Sequence, residues 1–183
     1  MKRGIIICLL GALMITVLAG CWAFNEQAET QPAPMMLEDA MKDYERAVAG
    51  ELPEDFRLTI TFMNPIMDTR APVRVEDLKN YPCRTIIVDS QKLGAYAALL
   101  RKLDASILKP VAEPSYVNAR LYYVFEVGDS EVILDVVTGA ERNDTIFVNG
   151  IEVETNPVFY ELILPFLTEE DCEILDIEKH FQQ

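Results

Sequence analysis

The strongest constraint on the fold is a series of alternating residues in the second half of the chain. In the first of these runs, Leu121, Tyr123 and Phe125 lie on one side, as expected of a strand with one buried face. Asn149-Gly150 is a strong signal for a two-residue hairpin turn between the last two runs. The predicted strands cover 118–127, 131–138, 145–148 and 151–154. They predict a four-strand antiparallel meander.

Two further strands are predicted earlier in the chain. From Phe56 to Met63, apolar residues alternate with polar ones, which indicates a strand with one buried face. Ile86-Ile87-Val88 is a short apolar run that is typical of a buried strand.

Helical spacing and capping residues predict the helices. Ser90 and Asn156 are suited to N-cap positions, and Pro157 is suited to a first helical position. Thr168, followed three residues later by Asp171, resembles a capping box with Asp in the usual Glu position. Two predicted helices cover 37–49 and 91–104. A third begins at Asn156, and a fourth follows Thr168.

The order of elements is helix, strand, strand, helix, four strands, helix. Because strands and helices do not alternate regularly, a parallel α/β fold is disfavoured. We expect an α+β domain in which the meander and one or two earlier strands form an antiparallel sheet, with helices packed on one face.

The N-terminus has the pattern of a secretory signal. A basic start that includes Lys2 and Arg3 precedes an uncharged, largely apolar run from Gly4 to Gly20. The run ends in Leu18-Ala19-Gly20-Cys21, which resembles the lipobox of bacterial lipoproteins. That resemblance implies cleavage between Gly20 and Cys21 and acylation of the Cys21 thiol, with a diacylglyceryl group whose two chains anchor a protein stably.

The chain therefore divides into three predicted parts. Residues 1–20 form the signal peptide, residues 21–36 form the lipid anchor and a flexible tether, and residues 37–183 form a single α+β domain. The location implied by the lipobox is the outer face of the bacterial cytoplasmic membrane, which the protein reaches through the lipid on Cys21. The net charge of −14 argues against nucleic-acid binding, which needs clustered Lys and Arg.

No familiar catalytic group is evident in the sequence. His180 is the only histidine, and eight residues of helix would place it about 12 Å from Cys172, too far for a dyad. No metal site or cofactor is indicated. Asp135 is the acid of most interest, because its strand neighbours are apolar on both sides, although it could simply face solvent. A further acidic cluster is explained by a solvated helix start, and comprises Glu169, Glu170, Asp171, Glu173 and Asp176.

Cys83 and Cys172 are the only other cysteines after Cys21. Export permits a disulfide between them, and the alternative is two separate buried thiols. The sequence favours separate thiols, because nothing in it brings a strand entrance and a late helix together.

Aromatic residues are concentrated in the second half of the chain. They are expected to form a core between the meander and the helix at Asn156. The alternative is an aromatic binding surface on the open face of the sheet, where Tyr122 would point away from Tyr123. The set comprises Tyr122, Tyr123, Phe125, Phe147, Phe159, Tyr160 and Phe166.

The whole chain resembles small lipoproteins of Gram-positive bacteria that have no assigned function. The segments that carry this resemblance are LTITFMNP, LYYVFEV, and DTIFVNGIEV followed by NPVFYELILPFL. It implies no activity and no functional residue beyond Cys21. We expect a membrane-anchored, non-enzymatic binding module for a protein or cell-envelope partner. The alternatives are a small carboxylate-dependent hydrolase and an accessory subunit of a membrane complex.

Overall fold

The structure is a computed structural model that describes residues 35–50, 52–128, 131–139 and 145–177. Its strands are β1 (Phe56–Met63), β2 (Cys83–Val88), β3 (Ala119–Val127), β4 (Glu131–Gly139), β5 (Ile146–Val148) and β6 (Ile151–Val153). Its α-helices are α1 (Met35–Ala49), α2 (Ser90–Gly94), α3 (Ala97–Leu100), α4 (Val158–Glu161) and α5 (Glu169–Leu175), and two 3-10 helices cover Val75–Asn80 and Leu164–Phe166.

The six strands form one antiparallel sheet in the order β2-β1-β3-β4-β5-β6. This confirms the predicted α+β fold, with the four-strand meander joined to two earlier strands. The predicted two-residue hairpin turn between β5 and β6 is confirmed, because Asn149 and Gly150 both have positive φ. Helix α1 begins two residues before the predicted start of the domain.

One face of the sheet, here called the helix face, carries the main core. On this face Ile60 lies opposite Ile86 on one side and Tyr123 on the other. The α-helices contribute buried side chains to the same cluster, among them Tyr44 of α1 and Phe159 of α4. The alternation in β1 and β3 therefore buries one complete row of apolar residues, as predicted.

Buried aromatic rings organise this core. The Phe125 ring lies 5.1 Å from that of Tyr44 and 5.9 Å from that of Phe56. The Tyr44 hydroxyl donates to the Leu100 carbonyl at 3.0 Å, and the Tyr123 hydroxyl donates to the Phe159 carbonyl at 2.9 Å. Both of these buried hydroxyls are thus satisfied, as burial requires.

The prediction of one continuous helix at 91–104 is wrong. Two short helices, α2 and α3, occupy its first part, and the chain leaves helical geometry at Tyr96. Gly94, a poor helix former, ends α2, and the Tyr96 ring packs edge-on against Phe166 at 5.2 Å. The N-cap is Asp89, whose side chain accepts from the Lys92 N–H, rather than Ser90.

The predicted helix start at Thr168 is confirmed, whereas the helix predicted to begin after Asn156 starts one residue later, at Val158, with Pro157 as its N-cap. Thr168 and Asp171 form a complete capping box at the start of α5. The Asn156 side chain accepts a hydrogen bond from the Val158 N–H at 3.0 Å, just before α4. Among the described residues, none of these helices is long and apolar enough to cross a bilayer.

The opposite face of the sheet, here called the second face, is only partly covered. Segment 64–82 packs Val73 and Leu78 against Met63 and Phe147 in a smaller apolar cluster. Within the part of the chain that the structure describes, no α-helix contributes a buried residue to that cluster.

Three consecutive residues at the start of β3 hold segment 64–82 in place. The Asn118 side chain accepts from the Val73 N–H, and the Ala119 N–H donates to the Val73 carbonyl at 2.8 Å. Arg120, which is buried, donates to the Thr69 hydroxyl at 3.2 Å. The covered half of the second face is therefore tied to the sheet by polar contacts.

Candidate functional site

The uncovered part of the second face is the candidate site, here called the open half-face. Thr59 lies opposite Ile87 on one neighbouring strand and Val124 on the other. Val124 in turn lies opposite Asp135. This surface comprises Arg57, Thr59 and Thr61 of β1, Thr85 and Ile87 of β2, Tyr122, Val124 and Glu126 of β3, and Asp135 of β4.

Asp135 is the most unusual group on the open half-face. Its Oδ1 atom is buried and has no hydrogen-bond partner. Burial raises the pKa of this carboxyl above its ordinary value, and a hydrogen bond from the Asn149 backbone offsets part of that shift. The described residues therefore supply no hydrogen-bond donor for this buried carboxylate oxygen.

The Asn149 turn fixes the backbone at Asp135. The Asp135 N–H donates to the Asn149 side-chain oxygen at 2.8 Å, and the Asn149 N–H donates to the Asp135 carbonyl at 3.1 Å. Asn149 can do both because it adopts the left-handed conformation at φ 47°. The hairpin turn recognised in the sequence thus also positions the acid.

Tyr122 lies diagonally from Asp135, since its direct neighbour on β4 is Val137. Burial raises the pKa of the Tyr122 hydroxyl to about 12, and the negative charges of Asp135, Glu126 and Glu76 contribute to the shift. The hydroxyl remains protonated at neutral pH and is a hydrogen-bond donor in a negative environment.

Glu126 has partners that Asp135 lacks. Its carboxylate accepts from the Arg57 guanidinium at 3.0 Å and from the Thr59 hydroxyl at 3.3 Å. No basic side chain among the described residues forms a salt bridge with Asp135. The two acids of this face therefore differ: Glu126 is paired with a base, whereas no described base is paired with Asp135.

The predicted lipidation and cleavage site, Cys21 and Gly20, lies outside the described residues. His180 lies outside them as well. The prediction that the chain has no close pair of histidine and cysteine at its C-terminus stays a prediction.

Cys83 and Cys172 are thiols in the structure rather than the two halves of a disulfide. The Cys83 thiol donates to the Leu78 carbonyl at 2.9 Å, and burial raises its pKa. A raised pKa keeps this sulfur protonated at neutral pH, so it is a poor nucleophile.

The acidic cluster at the start of α5 is mostly exposed, as expected, with one exception. Asp171 is buried and receives a salt bridge from Arg84 at 2.9 Å, in addition to its role in the capping box. The described residues contain no group of three potential ligands arranged to hold a metal ion.

The aromatic residues divide between the two faces of the sheet. Most are buried, as the core interpretation predicted, and Phe147 belongs to the smaller cluster on the second face. Tyr122 is the half-buried exception at the edge of that cluster, and it points away from Tyr123. It is therefore the only member of the set that lies on the open half-face.

Sequence reasoning missed Arg57, Thr59 and Glu126 as parts of a site. Arg57 and Thr59 occupy polar positions in the alternating pattern of β1. That pattern predicts a strand but assigns no function to its polar residues. Their pairing with β3 depends on strand order, which no local pattern reveals.

The chain matches no protein-family model, and comparison with curated proteins and with solved structures likewise yields no match.

Proposed function

We propose that this protein is a membrane-anchored bacterial lipoprotein whose domain is a non-enzymatic binding module. A lipid on Cys21 holds it at the outer face of the cytoplasmic membrane, and the open half-face binds its protein or cell-envelope partner. The observation that carries the binding proposal is Asp135, whose buried Oδ1 has no hydrogen-bond donor among the described residues.

The chemistry of the open half-face supports binding rather than hydrolysis. Hydrolysis by paired carboxylates needs two acids with separated pKa values across a cleft. Here the second acid, Glu126, is held by Arg57 and Thr59. The surface instead offers an acceptor in Asp135 and a donor in Tyr122 on the face of a rigid sheet, which suits recognition.

The binding surface can be tested by site-specific photo-cross-linking in intact cells. A photoreactive residue at Thr85 places the probe on the open half-face, and one at Ala98 places it on an exposed part of α3. We expect a discrete cross-linked product from position 85 that is weaker or missing from position 98. Equal products from both positions, or none from position 85, would contradict the proposal.

The anchor is tested separately by Cys21→Ala. The variant is expected to leave the membrane fraction while its domain stays folded, because acylation of the thiol is the proposed attachment. Cys83→Ala is the matched control and should stay with the membrane. Retention of the Cys21→Ala variant would contradict the lipoprotein proposal.

A further inference from the structure

The two edge strands of the sheet, β6 and β2, differ in whether another segment of the chain pairs with them. Along β6, the Val111 N–H donates to the Glu152 carbonyl at 3.0 Å, and the Glu154 N–H donates to the Lys109 carbonyl at 2.8 Å. A β-bridge between Pro110 and Val153 lies between these bonds. This edge is therefore covered by an extended segment of the chain itself.

Strand β2 forms the other edge, and within the described residues no segment pairs with its outer side. In an antiparallel strand, alternate residues direct their N–H and C=O groups outward. The outer side of β2 therefore presents a row of backbone donors and acceptors.

Most of the usual protections of an edge strand are missing from β2. Natural edges carry proline, lysine, an inward charge or a bulge, whereas β2 reads CRTIIV, pairs with β1 in continuous register, and has Arg84 as its one inward charge. Its single charge, Arg84, is held by Glu170 and Asp171 at 2.9 Å each. Ile87 is 70% exposed on the open half-face. Such an edge is suited to receiving another strand.

The charges beside β2 indicate what kind of strand it would receive. Arg84 lies opposite Phe62, and so on the helix face, where α5 brings Glu170 and Asp171 to it. Two acids and one base leave this end of the edge negative, and Glu170 is 72% exposed. A second copy of this chain is disfavoured as the occupant, because each copy carries a net charge of −14.

We propose that β2 binds an extended segment of another polypeptide with alternating basic and apolar residues, which pairs with it as a seventh strand. Basic side chains of that segment lie on the helix face beside Glu170, and apolar side chains lie beside Ile87. This inference rests on the proposed binding function, since it names the class of partner that the open half-face and its edge would recognise.

The experiment uses the whole folded chain and a soluble acetylated peptide that alternates lysine and valine. Binding is measured by titration, and backbone amide exchange is followed by NMR. We expect saturable binding that slows exchange at least tenfold at outward-facing amides of β2. Methylating the backbone nitrogens on one edge of the peptide removes its donors but keeps its side chains, and should weaken binding at least tenfold.

Charge recognition is tested in the same titration. Replacing the peptide's lysines with glutamates should weaken binding at least tenfold, and Glu170→Gln should weaken binding of the lysine peptide severalfold. Glu45→Gln, at an exposed position of α1, is the matched control and should leave the affinity unchanged.

Two outcomes would overturn the inference. One is equal binding of the methylated and unmethylated peptides, which would leave the binding function of the open half-face standing without strand addition. The other is protection of the β2 amides by concentration-dependent dimerisation without peptide. Loss of the Thr85 cross-link in cells would contradict the binding function itself, so the two failures can be told apart.

Discussion

The helix face and the second face are built from the same strands but satisfy their polar groups differently. On the helix face, the hydroxyls of Tyr44 and Tyr123 both donate to backbone carbonyls. On the second face, the buried Asp135 Oδ1 has no hydrogen-bond partner among the described residues. Burying an unpaired polar atom costs stability, and such local costs are typical of functional surfaces. The two faces therefore differ in these groups: both tyrosine hydroxyls of the helix face are satisfied within the fold, whereas the Asp135 oxygen of the second face is satisfied by no described residue.

The largest loss of stability is expected from a substitution on the helix face. Phe125→Ala removes a ring that contacts those of Tyr44, Phe56 and Tyr123. We expect the free energy of unfolding to fall by about 3–5 kcal/mol, the usual cost of a large cavity in a core. Equilibrium denaturation measures this loss. A loss below about 1 kcal/mol would show that the helix face is not the main core.

A smaller effect is expected where α5 joins the sheet. Asp171→Ala removes one half of the capping box and the buried partner of Arg84. We expect a loss of about 2 kcal/mol, since a cap and a buried charge pair are both affected. Glu170→Ala is the control and should cost less than about 1 kcal/mol, because its salt bridge is exposed. Equal losses would mean that Asp171 does not join α5 to the sheet.

The smallest effect is expected on the open half-face. The Thr61 hydroxyl is 3.3 Å from that of Thr85 in an exposed contact. Thr61→Ala should change the free energy of unfolding by no more than about 0.5 kcal/mol, as is usual for surface positions. A loss as large as that of Phe125→Ala would show that this surface is part of a core, and would end the contrast between the faces.

Much of the sheet could be predicted from local patterns. The alternation around Tyr123, the Asn149-Gly150 turn and the capping box at Thr168 are each encoded within a few neighbouring residues, and all three are confirmed. The break near Tyr96 was not predicted, although Gly94 marks its start in the sequence; the packing of the Tyr96 ring on Phe166, far along the chain, could not be read from a local pattern.

The candidate site was only partly predictable for the same reason. Asp135 could be singled out from its apolar strand neighbours, but its burial depends on the packing of strands around it. The open half-face exists because segment 64–82 covers only part of the second face. That coverage depends on contacts at Asn118 and Arg120, which join parts of the chain far apart in sequence.

The most direct test is the stability of Asp135→Asn as a function of pH. The folded state raises the pKa of Asp135 above the ordinary value of 3.8. The folded protein therefore binds the proton more tightly, and stability is lost as pH rises through the raised pKa.

Asp104→Asn is the matched control, because hydrogen bonds from Ser106 lower the pKa of that carboxyl. Its stabilising contribution is present above the ordinary pKa and is lost as pH falls through the lowered pKa. The Asp104→Asn variant should therefore be less stable than the wild-type protein at neutral pH, which is the opposite sign to Asp135→Asn.

The free energy of unfolding should be measured for both variants and the wild-type protein from about pH 4 to about pH 8, a range above the ordinary carboxyl pKa. We predict that Asp135→Asn raises the free energy of unfolding by about 1 kcal/mol at neutral pH. This increase should shrink as the solution is acidified. A loss of stability at neutral pH, or a gain that does not change with pH, would contradict the claim that the second face keeps an unsatisfied carboxylate for a partner.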